Sequence, residues 1–167
     1  MNININKIKI FSKFFCIFGI ILISSINCGM ITLNLKTNTK CYKGPYGGSG
    51  GGYFNDGVGG KISKVYIRSG AYIDRIQTYS NQGWKPPHGG SGGSAYTWNV
   101  PQGDCIIAIN VRHGAYVDSL QFLTRKGSRS PKFGGNGGRF SYVSLPNCLR
   151  GIYGRSGKYL DQIGFLY

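Results

Sequence analysis

Beyond residue 39, the chain alternates short runs of β-branched and aromatic residues with stretches rich in glycine. Runs of this composition bounded by glycine are typical of β-strands. No apolar repeat of helical period follows residue 30, so the pattern predicts an all-β domain. The clearest runs occupy residues 65–67 and 76–79, 106–111 and 120–123, and 152–153 and 163–167.

A five-residue motif, Gly-x-Tyr-x-Asp, occurs three times, at residues 70–74, 114–118 and 157–161. Its acids, Asp74, Asp118 and Asp161, are 44 and 43 residues apart and belong to a chain with only 5 acidic residues, all of them Asp. Each motif lies between two predicted strands and is therefore expected to form the tip of a hairpin, with the glycine supplying a positive φ. Three of so few carboxylates at one repeated position indicate a task that needs negative charge there.

A second repeated feature consists of glycine-rich segments at residues 47–51, 89–93 and 134–138, offset by 42 and 45 residues. The period matches that of the Asp motif, which indicates internal repetition, as an array or as a domain closed about a three-fold axis. Flexible linkage is the alternative interpretation of such segments, and their fixed period argues against it. Without side chains, these loops would leave their N–H groups accessible to a ligand.

Residues 1–28 are interpreted as a signal peptide. Three lysines precede an apolar run at residues 14–23, and small or polar residues follow, with cleavage expected near residues 25–29. The run is too short to span a bilayer comfortably, so stable membrane insertion is not expected, although an uncleaved anchor is the alternative. The remaining residues, 29–167, suit a single domain with a core at about 39–167, located outside the cell.

Without the three lysines of this segment, 17 Lys and Arg remain against 5 Asp, a formal charge of +12. Polyanions are therefore plausible partners, and a charge-driven binder of sulfated, glycosaminoglycan-like polymers is one functional hypothesis. The cations are scattered and form no run of five, which argues against nucleic acid. A structural matrix or coat protein is a third hypothesis.

Candidate catalytic or metal chemistry is sparse. Cys41, Cys105 and Cys148 remain after cleavage, so one disulfide with one leftover thiol is expected unless Cys28 is retained, and the spacing leaves the pairing open. No Cys-x-x-Cys pair is present. His88 and His113 are interpreted as exposed spectators, and a hydrogen bond to a sugar or mild pH sensitivity is the alternative for His113. No nucleophile elbow, phosphate-binding loop or carboxylate pair suggests an enzyme or a cofactor.

These features together resemble the jacalin-related lectins. The resemblance rests on Gly44-Pro45-Tyr46 followed by the first glycine-rich loop, on the three strand-loop-strand units, and on the ending Gly-Phe-Leu-Tyr. It covers residues 39–167 and implies a β-prism I fold, in which three four-stranded Greek-key sheets form the faces of a prism with pseudo-three-fold symmetry. It also implies a non-catalytic lectin, and the unbroken chain through residues 42–51 resembles the branch that binds mannose and glucose.

The resemblance implies three sugar sites, each pairing one hairpin with one glycine-rich loop. The expected members are Gly70, Ala71, Tyr72 and Asp74 with Gly90 and Gly92; Gly114, Ala115, Tyr116 and Asp118 with Gly135 and Gly137; and Gly157, Lys158, Tyr159 and Asp161 with Gly48 and Gly50. Each tyrosine is expected to offer a ring edge or a backbone N–H, and Lys158 with Arg155 is expected to attract sulfate or uronate. A homodimer would raise avidity further, although no residue indicates one.

Overall fold

The computed structural model describes residues 41–167. The expected signal peptide and the start of the expected domain lie outside these residues. Within them the secondary structure is all strand, and no helix is long and apolar enough to cross a membrane. The strands are β1 Tyr42–Gly47, β2 Gly52–Asn55, β3 Lys64–Ser69, β4 Ile73–Ser80, β5 Gly83–Trp84, β6 His88–Gly89, β7 Ser94–Asn99, β8 Ile106–His113, β9 Val117–Thr124, β10 Phe133–Gly134, β11 Arg139–Ser144, β12 Gly151–Ser156 and β13 Leu160–Leu166.

The strands form three antiparallel sheets that match the three sequence repeats. One sheet has the order β10-β9-β8-β11, so that its fourth strand returns beside its first in the Greek-key manner. A second sheet repeats this order with β3, β4 and β7. The third sheet, β1-β13-β12-β2, takes two strands from each end of the described chain. The predicted β-prism I architecture is confirmed.

The second sheet departs from the expected four strands because its outer strand is divided. β5 and β6 both pair with β4, and the sheet therefore has five strands. Pro86 and Pro87 lie between the two pieces. Since proline has no N–H to donate to a ladder, pairing stops there and resumes at His88.

The strand that follows each hairpin lies at the centre of the domain. β4, β9 and β13 contact one another across the three sheets, and each begins with two buried residues. Their inward side chains include Ile76, Phe122 and Phe165, all at most 1% exposed. Because the second residue of each strand is the motif aspartate, packing of these strands brings all three acids to the same end of the prism.

The cysteines differ from the expected outcome in one respect. Cys105 and Cys148 form a disulfide that joins the loop before β8 to the loop before β12, with 5.5 Å between their Cα atoms. Cys41 is also disulfide-bonded. The expected leftover thiol is therefore wrong: none of the three cysteines among residues 41–167 remains a thiol.

Candidate functional site

Each motif aspartate is held against one glycine-rich loop through its main chain. The N–H of Gly90 donates to the carbonyl oxygen of Asp74 (2.8 Å), and the N–H of Gly135 donates to that of Asp118 (2.9 Å). At the third position, the N–H of Gly48 donates to the carbonyl oxygen of Asp161 (2.8 Å). The structure thus brings each hairpin to the loop with which it was expected to pair, but these three N–H groups are used by the fold.

The loops need glycine because the carboxylates lie directly over them. A Cβ on Gly92 would collide with Oδ1 of Asp74, and Gly50 and Gly137 meet Asp161 and Asp118 in the same way. Gly93, at the end of the loop, also has φ +63°, a conformation that L side chains rarely adopt. The glycine-rich composition is therefore a requirement of close packing around a carboxylate.

The glycines of the Asp motif, unlike those of the loops, are not required by close packing, and their backbone conformation corrects one prediction. Gly70, Gly114 and Gly157 were expected to have positive φ, but none of them does; the positive values belong to loop residues such as Gly93 and Gly138. A Cβ on Gly114 would lie 3.9 Å from Oδ2 of Asp118 and 3.9 Å from the Cα of Gly138. Neither the backbone nor a clash thus requires glycine here, and the hairpin leaves open space beside the carboxylate.

The three carboxylates themselves have no hydrogen-bond donor within the described residues. Asp74, Asp118 and Asp161 are 7%, 6% and 6% exposed, and Oδ2 of Asp161 is fully buried without a partner. Burying a charge without pairing it is costly, usually by more than burying an unpaired neutral group. Such carboxylates are poised to accept hydrogen bonds from a ligand.

Sequence reasoning missed the role of three arginines that hold the loops in place. Arg68 donates through Nε to the carbonyl of Gly92 (2.8 Å) and through Nη2 to that of Gly93 (2.7 Å). Arg155 makes the same pair of bonds to Gly50 (3.0 Å) and Gly51 (2.8 Å). The sequence predicts for Arg155 only a contact with sulfate or uronate, whereas its guanidinium is engaged by the loop.

Arg112 is the third of these residues and donates through Nη1 to the carbonyls of Gly137 (3.3 Å) and Gly138 (2.8 Å). A shift of strand register follows each arginine just before the hairpin, as between Arg112 and His113. Such bulges re-aim a side chain. The three arginines are 44 and 43 residues apart, the same spacing as the motif aspartates, and each stands two residues before a motif glycine. This shared spacing is the sequence signal that could have identified them.

The motif tyrosines form a cluster at the pseudo-three-fold axis. The ring centroids of Tyr72, Tyr116 and Tyr159 are 5.1 to 5.6 Å apart, with tilts of about 60° between ring planes. Tilted aromatic pairs at this separation are favourable. The rings therefore pack on one another, and only the outer edge of each ring is accessible to a ligand. The side chain of Tyr72, for example, is 36% exposed.

Each glycine-rich loop also touches the neighbouring hairpin. Gly135 approaches the main chain of Ala71, Gly48 that of Ala115 and Gly90 that of Lys158. Among residues 41–167, the N–H groups of Ala71, Ala115 and Lys158 take part in no hydrogen bond. Each hairpin thus carries an unused donor three residues before its carboxylate. The Lys158 ammonium lies 5.5 Å from the ring centroid of Tyr159.

His113 is not the exposed spectator that was expected. It is 3% exposed, its Nε2 lies 3.0 Å from Oγ of Ser141, and its ring packs edge-on against Tyr46. The alternating pattern of β8 points this residue inward. Burial, and then the positive charge of Arg139, lower its pKa from 6.5, while Asp118 acts in the opposite direction.

His88 was also predicted to be an exposed spectator, and this is wrong as well. Its Nε2 lies 2.7 Å from Oδ1 of Asp56, and both side chains are nearly buried. The imidazole stacks on Phe54 at 3.7 Å between centroids. The contact joins β6, which leads into the second glycine-rich loop, to β2, which follows the first.

A groove of about 390 Å³ runs beside the first site. It is lined by the hairpin residues Ser69 and Gly70, by the exposed ring of Tyr96, and by Phe133 and Gly134 at the start of the third glycine-rich loop. The groove therefore extends from the first carboxylate site toward the second. Among the described residues, no group of three His, Cys, Asp or Glu could hold a metal ion.

Comparisons with known proteins agree on one family. The model of the jacalin-like lectin domain matches residues 43–166, whereas no curated protein matches the chain. Similar solved structures include a mannose-binding lectin from champedak (22% identical, TM-score 0.68, covering 77% of this chain and 97% of that one). Malaysian banana lectin is 24% identical, with a TM-score of 0.68 and coverage of 76% and 96%.

Artocarpin complexed with Me-alpha-mannose is 21% identical, with a TM-score of 0.70 and coverage of 76% and 96%. At these identities the structures show the fold alone. The family model covers most of the chain and describes lectins, proteins that bind carbohydrate without transforming it. The expected absence of catalysis and the suspected family are thereby confirmed, and the chain belongs to the jacalin-like lectin family.

Proposed function

We propose that the protein is an exported lectin that binds mannose- or glucose-type glycans at up to three sites, each formed by one hairpin and its glycine-rich loop. The observation that supports this most directly is the set of three nearly buried carboxylates that receive no donor from the described residues. Adjacent hydroxyls of a sugar are donors of the right spacing for the two oxygens of a carboxylate. Asp74, Asp118 and Asp161 are the anchors.

The remaining groups of each site complement a sugar in other ways. The unused N–H of Ala71, and its equivalents in the other hairpins, donates to an oxygen of the same sugar. The motif glycine leaves the space that the ring occupies. Charge-assisted hydrogen bonds contribute roughly 1.5 to 3 kcal/mol each, yet an open site with few contacts is expected to bind one monosaccharide at about millimolar strength, near −4 kcal/mol.

Three sites at one end of the domain favour branched ligands. When one arm of a glycan is bound, a second arm reaches the next site at high effective concentration. The groove between the first and second sites, with the exposed ring of Tyr96, offers a path for the sugar that links two arms. Artocarpin, one of the similar structures, has been solved in complex with Me-alpha-mannose and with mannotriose, which supports mannose as the first sugar to test.

The deciding experiment compares the wild type with Asp74→Ala/Asp118→Ala/Asp161→Ala on a glycan array and by calorimetry with a branched mannose oligosaccharide. We expect binding to disappear while the thermal midpoint stays level or rises, because the removed carboxylates have no donor in the protein. A matched control is Asp104→Ala, which lies at the other end of the domain. Undiminished mannose binding by the triple variant would reject the three sites.

Export is proposed separately, from the sequence of residues 1–28 alone. Expression of the full chain in a eukaryotic secretion host, followed by N-terminal sequencing, is expected to recover protein from the medium that begins near residues 25–29. Recovery only from the membrane fraction, with residue 1 intact, would favour the uncleaved anchor.

A further inference from the structure

The end of the prism opposite the three hairpins contains a basic cleft of about 450 Å³. The hairpins and glycine-rich loops lie at one end of the strands, so the loops that follow β2, β9 and β11 lie at the other. The cleft is formed there by Val58 and Lys61, by Arg125, by Asn147 and Arg150, and by Tyr167. Its residues come from parts of the chain that are far apart in sequence.

The three cations of this cleft are not neutralised within the described residues. The side chains of Lys61, Arg125 and Arg150 make no ion pair or hydrogen bond there. The chain has 5 acidic residues, and none lines the cleft: three lie in the hairpins, Asp56 contacts His88, and Asp104 accepts from the N–H groups of Cys105 and Lys126. A terminal carboxylate on Tyr167 would offset only one of the three cations.

Like charges gathered around a concave surface raise the local potential and attract anions. Arginine presents a planar fork of donors that matches the oxygens of sulfate or phosphate, and lysine adds a mobile charge. The volume lies within the range of small-ligand clefts and exceeds what a bare oxyanion needs. The amide of Asn147 and the half-buried ring of Tyr167 can contact the part of the ligand that carries the anion.

We propose that this cleft is a second binding site, for a sugar that carries a sulfate or phosphate group. It is separate from the hairpin sites in position and in chemistry, and it does not depend on them. A molecule with neutral-glycan sites at one end and an oxyanion site at the other can link two different carbohydrate polymers.

The test uses the full chain and the variant Lys61→Gln/Arg125→Gln/Arg150→Gln. The main-chain bonds of these residues, such as the N–H of Arg150 to the carbonyl of Leu166 (2.8 Å), are retained. Calorimetry is performed with a sulfated heparin-type disaccharide, its desulfated form and a hexose phosphate. We expect about a tenfold loss of affinity per cation, hence about 1,000-fold for the triple variant with the sulfated ligand. The hexose phosphate decides whether phosphate is accepted as well as sulfate.

Two controls distinguish a built cleft from overall charge. Lys43→Gln/Lys64→Gln/Arg139→Gln removes the same number of exposed cations elsewhere and is expected to retain affinity within about twofold. Amide shifts of Val58 and Asn147 should accompany binding of the sulfated disaccharide, and added salt should weaken it without affecting mannose. Equal losses in both triple variants, or equal binding of the desulfated form, would overturn the proposal. Mannose binding is measured on the same samples, so failure of the hairpin sites is recognised independently.

Discussion

The open space beside each motif glycine leads to a prediction that separates folding from binding. In the variant Gly70→Ala/Gly114→Ala/Gly157→Ala, the new methyl groups meet no atom closer than 3.6 Å, and the glycines do not have positive φ. Replacing glycine by alanine at such a position reduces the entropy of the unfolded chain and stabilises by about 0.4 to 1 kcal/mol. The triple variant should therefore be more stable than the wild type by about 1 to 3 kcal/mol.

Binding should respond in the opposite way. The methyl on Gly114 would stand 3.9 Å from both Oδ2 of Asp118 and the Cα of Gly138, across the gap between hairpin and loop. A sugar hydroxyl must come within about 2.7 Å of that oxygen to donate to it, and the methyl occupies its approach. Loss of even one charge-assisted bond, about 1.5 to 3 kcal/mol, lowers affinity roughly ten- to a hundredfold.

The assay pairs urea unfolding with calorimetry on a mannose oligosaccharide. Gly138→Ala is the contrasting control, because φ there is +62° and its Cβ would lie 2.6 Å from the carbonyl oxygen of His113; it should destabilise by roughly 2 kcal/mol or more. The reasoning would be refuted by a triple variant that binds mannose as the wild type does, or that loses stability as Gly138→Ala does.

Two further predictions concern the residues that support the sites. Arg155→Met should lower the affinity of the third site about tenfold, since the loop carbonyls lose two donors, and lower stability by only about 1 kcal/mol because the pairing is partly exposed. Calorimetry in an Asp74→Ala/Asp118→Ala background isolates that site. Unchanged affinity there would show that the bonds from Arg155 to the loop do not support sugar binding. The pKa of His113 is lowered in the folded state, so the unfolded chain binds the proton more readily, and stability should fall as pH decreases below about 6.5. Arg139→Gln should reduce that fall in urea titrations between pH 7 and 5, and an identical slope in both proteins would contradict the argument.

The strands and the internal repetition were accessible from the sequence itself, because glycine-bounded apolar runs flank each Asp motif and both repeats share one period. The β-prism arrangement and the pairing of each hairpin with one loop came from the resemblance to the jacalin-related lectins, since the period alone does not say which loop meets which hairpin. The break of one edge strand at Pro86 and Pro87 was equally readable, since two successive residues there lack a donor.

Other features depend on long-range contacts that no local pattern reports. Arg112 is one basic residue among many, and only its distance from the motif glycine distinguishes it. The partner of His88 is Asp56, which is 32 residues away and directly follows β2 of another sheet. The burial of His113, by contrast, follows from the alternation along β8, in which Ile109 and Val111 also point inward; an inward histidine there was predictable.

The third site depends on the sheet β1-β13-β12-β2, which combines strands from both ends of the described chain. It therefore forms in a different way from the other two sites. The N–H of Gly48 donates to the carbonyl of Asp161, and nearly the whole sequence of the domain lies between these two residues. Contacts of such long range cost more loop-closure entropy than local ones and form more slowly. During refolding, the first two sites should therefore regain affinity for sugar before the third.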